Sequence, residues 1–319
     1  MHRPATPPPP AVLAHLRASN RVGATYVGST SIATAVGVWL SLQPGAAVWV
    51  LGQVVLAACF VEWFVLLHEC GHGTLFRNRL ANVVAGHLAG VGALIPFESW
   101  RRVHGRHHKW TGWQDLDPTT AVLTPRPLSR LERAVINLCW RLWIPLFAAA
   151  YRLNNFWNVP RLVRLFPVPA TRARVVVSVV ATAGVYAAAV ILLGPATTAR
   201  LIFLSLFLSF IAQDILIVSQ HTHVPMGLSH GQAVDPYPTL AQEPFTRSLR
   251  LPAWLSRALL HFDAHELHHM YPFVPGYELH AVPYTPAHEV PWTRWIPAAR
   301  AMPGEQLFFQ NRDETGFDL

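Results

Sequence analysis

An all-α integral membrane protein, with four transmembrane helices in two hairpins and a cytoplasmic helical cap rich in histidine, is the fold class that the sequence predicts. Three observations lead to it. Of the 319 residues, 52% are hydrophobic and only 13% are charged, too apolar a balance for an ordinary soluble domain. Four largely apolar runs come close to the roughly 20 residues that a helix needs to cross a bilayer. Histidines recur in three tight clusters, beginning at His68, His104 and His265.

The elements follow in chain order. Residues 1–23 include the proline-rich stretch Met1 to Pro10 and lack the apolar core of a signal peptide, so they read as a flexible leader. The membrane domain is expected over residues 24–302. Its first two crossings, Ala24 to Leu42 and Ala46 to Leu67, are joined by the turn-forming Gln43-Pro44-Gly45. Two more, Val175 to Leu193 and Leu201 to Ile217, flank Gly194-Pro195. In lipid each backbone group must be satisfied within its own segment, which makes all of these runs helices. The stretch Arg101 to Arg174 is rich in arginine, whereas the links inside the hairpins are almost uncharged. The positive-inside rule therefore puts this stretch and both termini in the cytoplasm. Two further apolar stretches, Ala81 to Pro96 and Ala134 to Tyr151, are interrupted by His87, Asn137 and Arg141 and are expected to be re-entrant or interfacial helices. Pro303 to Leu319 reads as a polar, partly mobile tail.

The formal charge of +8 is compatible with nucleic acid, an anionic membrane surface or an acidic partner. The apolar runs select membrane lipids, and no nucleic-acid partner is expected. Three cysteines, Cys59, Cys70 and Cys139, have no paired spacing, which argues against a disulfide framework or a cysteine-rich zinc module.

The clusters carry the chemistry. His68-Glu69-Cys70-Gly71-His72 continues the second crossing, and positions i and i+4 share a helix face, so both imidazoles can reach one metal. In His104-Gly105-Arg106-His107-His108 and His265-Glu266-Leu267-His268-His269, the i, i+3, i+4 spacing gathers three imidazoles on one side. These clusters supply eight ligands, and Gln220-His221-Thr222-His223 supplies a ninth, His221 before His223. Zinc takes roughly four ligands and octahedral metals about six, so a di-metal site follows from the count. An even number of crossings separates the first two clusters from the third, which brings all of them to one face. Charge balance must come from groups accepting the second imidazole N–H. Glu69, Asp115, Asp117, Asp263 and Glu266 are the candidates, against the plainer reading of surface or capping carboxylates.

Three other readings compete with the clusters. Isolated histidines such as His15, His87, His280 and His288 read as packing or interfacial residues, and His261 as at most a neighbour of the ligand shell. His68-Glu69-x-x-His72 and His265-Glu266-x-x-His269 both satisfy the H-E-x-x-H pattern of zinc metalloproteases, but that reading leaves His104, His107, His108 and His268 unexplained. A membrane metal transporter or sensor would want ligands within the crossings, where only Glu62 and Asp214 lie.

Taken together, these residues resemble the membrane-bound fatty acid desaturase family, in particular the omega-6 (delta-12) and omega-3 acyl-lipid branch. The first cluster has that branch's first box as it stands. Pro96-Phe97-Glu98-Ser99-Trp100 leads into the second, and Thr111-Gly112 with Asp115-Leu116-Asp117-Pro118 follows. Gln220-His221-Thr222-His223, Asp263 and Pro275-Gly276-Tyr277 continue the pattern in order. The resemblance implies a pair of iron ions (Fe2+) held by these histidines. It also implies O2 as co-substrate, electrons from ferredoxin or cytochrome b5, and a double bond inserted into an acyl chain carried by a lipid, by CoA or by a carrier protein. No His-Pro-Gly-Gly heme motif is present, so a separate electron-donor protein is expected. Related di-iron hydroxylases, acetylenases and carotenoid ketolases or hydroxylases share similar boxes and remain open.

An acyl methylene offers no polar handle, so recognition must be largely geometric and the site must exclude water. Trp63, Trp100, Trp110, Trp113 and Phe97 are candidates for lining such a tunnel or for anchoring at the membrane interface.

Overall fold

The structure is a computed structural model that describes residues 6–317 and 319. Nearly all of its regular structure is helical: α1 (Asn20–Leu42), α2 (Ala46–His72), α3 (Arg79–Ala93), α4 (Phe97–Trp110), α5 (Arg130–Arg141), α6 (Leu146–Arg152), α7 (Val159–Leu165), α8 (Pro169–Leu193), α9 (Pro195–His221), α10 (Ala253–Ala258), α11 (His265–Met270), α12 (Trp292–Ala301), α13 (Gly304–Phe309) and α14 (Arg312–Thr315). A parallel pair of three-residue strands, β1 (Ser248–Arg250) and β2 (Glu289–Pro291), pairs Ser248 with Glu289. The chain divides into two compact units, one comprising Ala18–Arg102 and Ala149–Ala212, the other Met1–Arg17, Val103–Ala148 and Gln213–Leu319.

The first unit holds α2, α8 and α9 up to Ala212. α2, α8 and α9 are long and apolar enough to cross a membrane, and they contain the predicted crossings 46–67, 175–193 and 201–217. The first predicted crossing, 24–42, lies in the 23-residue α1, whose serines and threonines leave it outside that set. Two bent pairs, α3 with α4 and α5 with Leu146–Trp157, raise the possible spans to five if each pair crosses. These pairs cover the stretches expected to be re-entrant or interfacial. Helix α3 ends at Leu94, in the left-handed region, and the chain restarts as α4 just after Pro96.

Close packing in this unit depends on small residues. Gly37, Gly86 and Gly92 sit against Leu56, Phe97 and Trp63, and a Cβ at any of them would lie within 2.9 Å of that side chain. Gln53 and Tyr186 find hydrogen-bond partners inside the bundle, as an apolar surround favours. The Gln53 amide donates to Ser41 Oγ at 2.9 Å and Leu201 O at 3.0 Å, and its Oε1 accepts from Ser205 N at 3.0 Å. Tyr186 Oη donates to Val91 O at 2.8 Å.

Among the described residues of the second unit, two apolar clusters revise expectations. Of the segment read as a flexible leader, residues 1–5 lie outside the described residues. Pro10–Leu13 forms a 3-10 turn that buries Leu13, and Leu16 joins it in a cluster with Leu267, Met270 and Tyr271. Tyr271 Oη donates to Pro8 O at 2.8 Å. Proline has little backbone freedom to lose, which favours docking of so short a segment. The segment read as a polar tail carries α13 and α14, and Leu307 and Phe308 pack with Trp295, Leu249 and Val218. Glu305 adds an ion pair to Arg133 of α5 at 3.2 Å.

Candidate metal centre

Within the second unit, α4, the last turn of α9 and α11 bring four imidazoles together. His107 Nε2 lies 3.1 Å from His221 Nε2 and 3.3 Å from His269 Nε2, and His265 Nε2 lies 2.7 Å from His221 Nε2. His107, His265 and His269 are buried, and His221 is half-buried. The i, i+4 relation of His265 and His269 puts both on the same face of the one-and-a-half turns of α11, as the spacing predicts.

The opposite ring nitrogens decide what these atoms can be. His107 Nδ1–H donates to Asp117 Oδ2 at 2.6 Å, His269 Nδ1–H to Gln242 Oε1 at 3.0 Å and His221 Nδ1–H to the Phe245 carbonyl at 3.3 Å. A neutral imidazole carries one N–H, so committing it at Nδ1 leaves Nε2 as a bare lone pair. Lone pairs facing one another at these distances repel unless a cation lies among them. Metal–nitrogen bonds of about 2.1 Å set ligand-to-ligand edges of about 3.0–3.4 Å, close to the observed spacings. The residues therefore fit a metal ion bound through four Nε2 atoms.

Electrostatics agree. Burial, followed by the neighbouring His108, His265, His221 and His107 imidazoles, holds the His269 pKa well below the usual value, so the ring is neutral. Burial alone would raise the Asp117 carboxyl. His107 and the Thr119 N–H outweigh it and hold Asp117 below the ordinary carboxylate range. Thr119 braces that carboxylate further, its N at 2.8 Å and its Oγ at 2.9 Å from Oδ1.

A second gathering stands in the same unit. His108 Nε2 lies 3.1 Å from His104 Nε2 and 3.0 Å from His268 Nε2, and the His108 ring stacks on His269 with centroids 4.2 Å apart. In the first unit, the last turn of α2 carries His68 and His72, with ring centroids 4.9 Å apart. His68 Nδ1 faces Glu69 Oε1 at 3.2 Å, and Glu69 Oε2 accepts from Thr74 Oγ at 2.8 Å. Trp100 is buried beside both rings, 5.4 Å from His68 and 6.4 Å from His72.

The structure also sorts the remaining candidates. His221 joins the four-ring group, whereas His223, at a left-handed φ of 55°, turns its Nε2 to Thr315 Oγ at 2.6 Å. The Glu266 carboxylate accepts from the backbone N–H of His288 at 2.7 Å and of Ser248 at 3.2 Å, which braces the strand pair beside α11. Burial pushes its pKa up to about 7. Asp263 accepts from Ser256 Oγ at 2.7 Å, and Asp115 from Ser229 Oγ at 2.5 Å. Glu69 and Glu266 are thus held as hydrogen-bond acceptors, not presented as the general base that a zinc protease needs. Of the aromatic candidates, Phe97 and Trp63 pack against glycines, and Trp113 stacks on Tyr237 at 5.5 Å. Gln242, Thr119 and the Phe245 carbonyl belong to no cluster in the sequence, and no spacing or charge pattern marks them.

Comparison with known proteins agrees with this geometry. A family model described as "Fatty acid desaturase" matches residues 26–294. An sn-2 acyl-lipid omega-3 desaturase (ferredoxin), chloroplastic, of Helianthus annuus is 31% identical over 161 residues, which is 47% of this chain and 36% of that protein. An sn-1 oleoyl-lipid 12-desaturase of Picosynechococcus sp. is 31% identical over 130 residues, 39% of this chain and 35% of that protein. The counterpart of the first in Arabidopsis thaliana is 29% identical over 154 residues, 45% of this chain and 34% of that one. In these alignments the chain spans about a third of the length of the curated relatives it matches. With a family match over most of its length, the chain belongs to the fatty acid desaturase family.

Proposed function

We propose that the chain is a membrane-bound di-iron desaturase that inserts a double bond into the acyl chain of a lipid. The observation that carries the reading is the convergence of the four Nε2 atoms of His107, His221, His265 and His269, three of them left as lone pairs because the Nδ1–H of His107, His221 and His269 is committed elsewhere. Those four histidines hold one iron. The family resemblance assigns the second iron to the remaining histidines of the boxes, and His223 turns to Thr315 instead. When bound, the iron pair supplies the redox capacity to reduce O2 to two waters with two external electrons, two protons and the two hydrogens taken from neighbouring methylenes.

The chain's own residues hold and orient that chemistry. Asp117 fixes the tautomer of His107 and supplies negative charge, and Glu69 does the same for His68. Imidazoles in place of thiolates give a ligand set that resists oxidation, and burial of His107, His265 and His269 keeps bulk water from that part of the site. The acyl-lipid names of the relatives favour a lipid-borne substrate over a CoA or carrier-protein ester. Electrons come from a separate donor, ferredoxin or cytochrome b5. The arginine-rich stretch 101–174 puts the histidine boxes and both termini on the cytoplasmic side.

The test is the lipid and fatty-acid profile, by mass spectrometry, of a host expressing the chain beside a His107→Ala control. The expected result is new unsaturated acyl chains that the control lacks, with two irons per purified chain. Hydroxy, keto or triple-bonded products would move the chain to the related hydroxylase, ketolase or acetylenase reaction. Zinc, or one metal per chain, would overturn the mechanism.

A further inference from the structure

Gln242 lies in the link between α9 and β1, outside every histidine cluster, yet its side chain is only 1% exposed. Its amide nitrogen donates to the His108 carbonyl at 2.8 Å and to the Tyr237 carbonyl at 3.2 Å. Two flanking carbonyls accept only from N–H, which fixes that end of the amide as the nitrogen and the other end as the oxygen. The oxygen faces His269 Nδ1 at 3.0 Å, so that nitrogen carries the ring's proton. The amide thus reads one cluster's backbone with one end and sets the other cluster's ring with the other.

We infer that Gln242 is a positioning residue for the metal centre: it holds His269 in the Nε2-ligating tautomer and ties the third histidine box to the second. The inference rests on the metal reading proposed above and names a part of it that no motif carries. It also gives the four rings unequal surroundings. His107 leans on a carboxylate, whereas His269 and His221 lean on neutral carbonyl oxygens of Gln242 and Phe245. A carboxylate acceptor makes an imidazole more basic and a stronger donor to a cation. A neutral amide fixes orientation and adds no charge to the buried site.

Two substitutions separate this role from simple packing. Gln242→Glu keeps an oxygen for His269 and loses the bonds donated to His108 and Tyr237. Gln242→Met keeps the volume and loses all three bonds. Full-length protein in detergent, stripped of metal and titrated anaerobically with Co2+, gives both affinity and the visible ligand-field spectrum, and thermal unfolding of the metal-free protein reports the scaffold. Gln242→Glu is expected to bind Co2+ at least as tightly as the parent chain with a shifted spectrum. Gln242→Met is expected to weaken one Co2+ site by about 10–100-fold. Metal-free melting temperatures should fall together in the two variants. Equal loss of affinity in both variants would assign Gln242 to packing alone, and unchanged affinity in both would also overturn the inference. Parent protein that binds no Co2+, or binds it equally after His107→Ala, would instead overturn the metal reading itself.

Discussion

A histidine in this chain is defined less by its cluster than by what holds its second nitrogen, and His261 shows the opposite case to the ligands. Ser256 donates its hydroxyl to Asp263 at 2.7 Å, so it accepts from His261 Nδ1–H at 2.8 Å, and the ring stacks on His280 with centroids 3.9 Å apart. Burial first, then His280 and Arg257, lowers the His261 pKa from 6.5 to about 4. The unfolded chain takes up this proton near pH 6.5, while the folded chain resists until about pH 4. The stability tied to neutral His261 is therefore intact above pH 6.5 and lost as the pH falls towards 4. Melting temperatures of the metal-free protein should drop across this window, and less steeply in His261→Phe, which keeps a stacking ring that cannot titrate. Parallel curves for the two proteins would remove His261 from the account. At this scale the sequence marks which histidines can share a helix face, because i, i+3 and i+4 spacing is a direct statement about that face. It ranked His221 before His223 but could not settle the pair, since that choice depends on where α9 ends and on a left-handed residue at 223. Nor could it find Gln242, whose partners lie 27 and 134 residues away.

At the scale of elements, the first box is the last turn of α2, closed by Gly73 at a φ of 75°. Inside it, Gly71 is required by Trp100. A Cβ at position 71 would lie 2.1 Å from Trp100 Cζ3, far inside contact distance, and the indole is 2% exposed with little room to retreat. Gly71→Ala should cost about 1–3 kcal/mol by overpacking and push Trp100 away from the His68 and His72 rings. Adding Trp100→Leu should recover part of that loss, so a double-mutant cycle by thermal unfolding should give a coupling clear of additivity. Additive losses would mean that Gly71 is needed for some reason other than the indole. Long helices such as α8 and α9 were legible because about 20 apolar residues carry a strong signal. The leader and the tail were misread because their burial rests on a few isolated side chains, Leu13 and Leu16 at one end and Leu307 and Phe308 at the other, within otherwise polar or proline-rich stretches. Periodicity needs a window of some 11–18 residues, and neither segment offers one.

At the scale of the whole molecule, the number of crossings and the metal centre constrain each other. Among the described residues three helices qualify as spans and the two bent pairs are the open elements, so parity decides which histidine boxes share a side of the membrane. With both bent pairs re-entrant, two spans, α2 and α8, separate Pro44 from Ala196, and Arg126 lies on the opposite side from both. With one pair crossing, Pro44 and Ala196 fall on opposite sides. With both crossing, they return to one side and Arg126 joins them, which would divide the first box from the second. Only the first arrangement puts the segments carrying His68, His104 and His265 on the same side of the membrane. Variants with one cysteine added at Pro44, Ala196 or Arg126, in a Cys139→Ser background that leaves the buried Cys59 and Cys70, separate the three cases. A membrane-impermeant maleimide on intact bacterial cells should label Pro44→Cys and Ala196→Cys, and should reach Arg126→Cys only after permeabilisation. Labelling of Arg126→Cys from outside would split the histidine boxes across the bilayer. No shared metal pair would survive that result, however well each cluster is formed on its own.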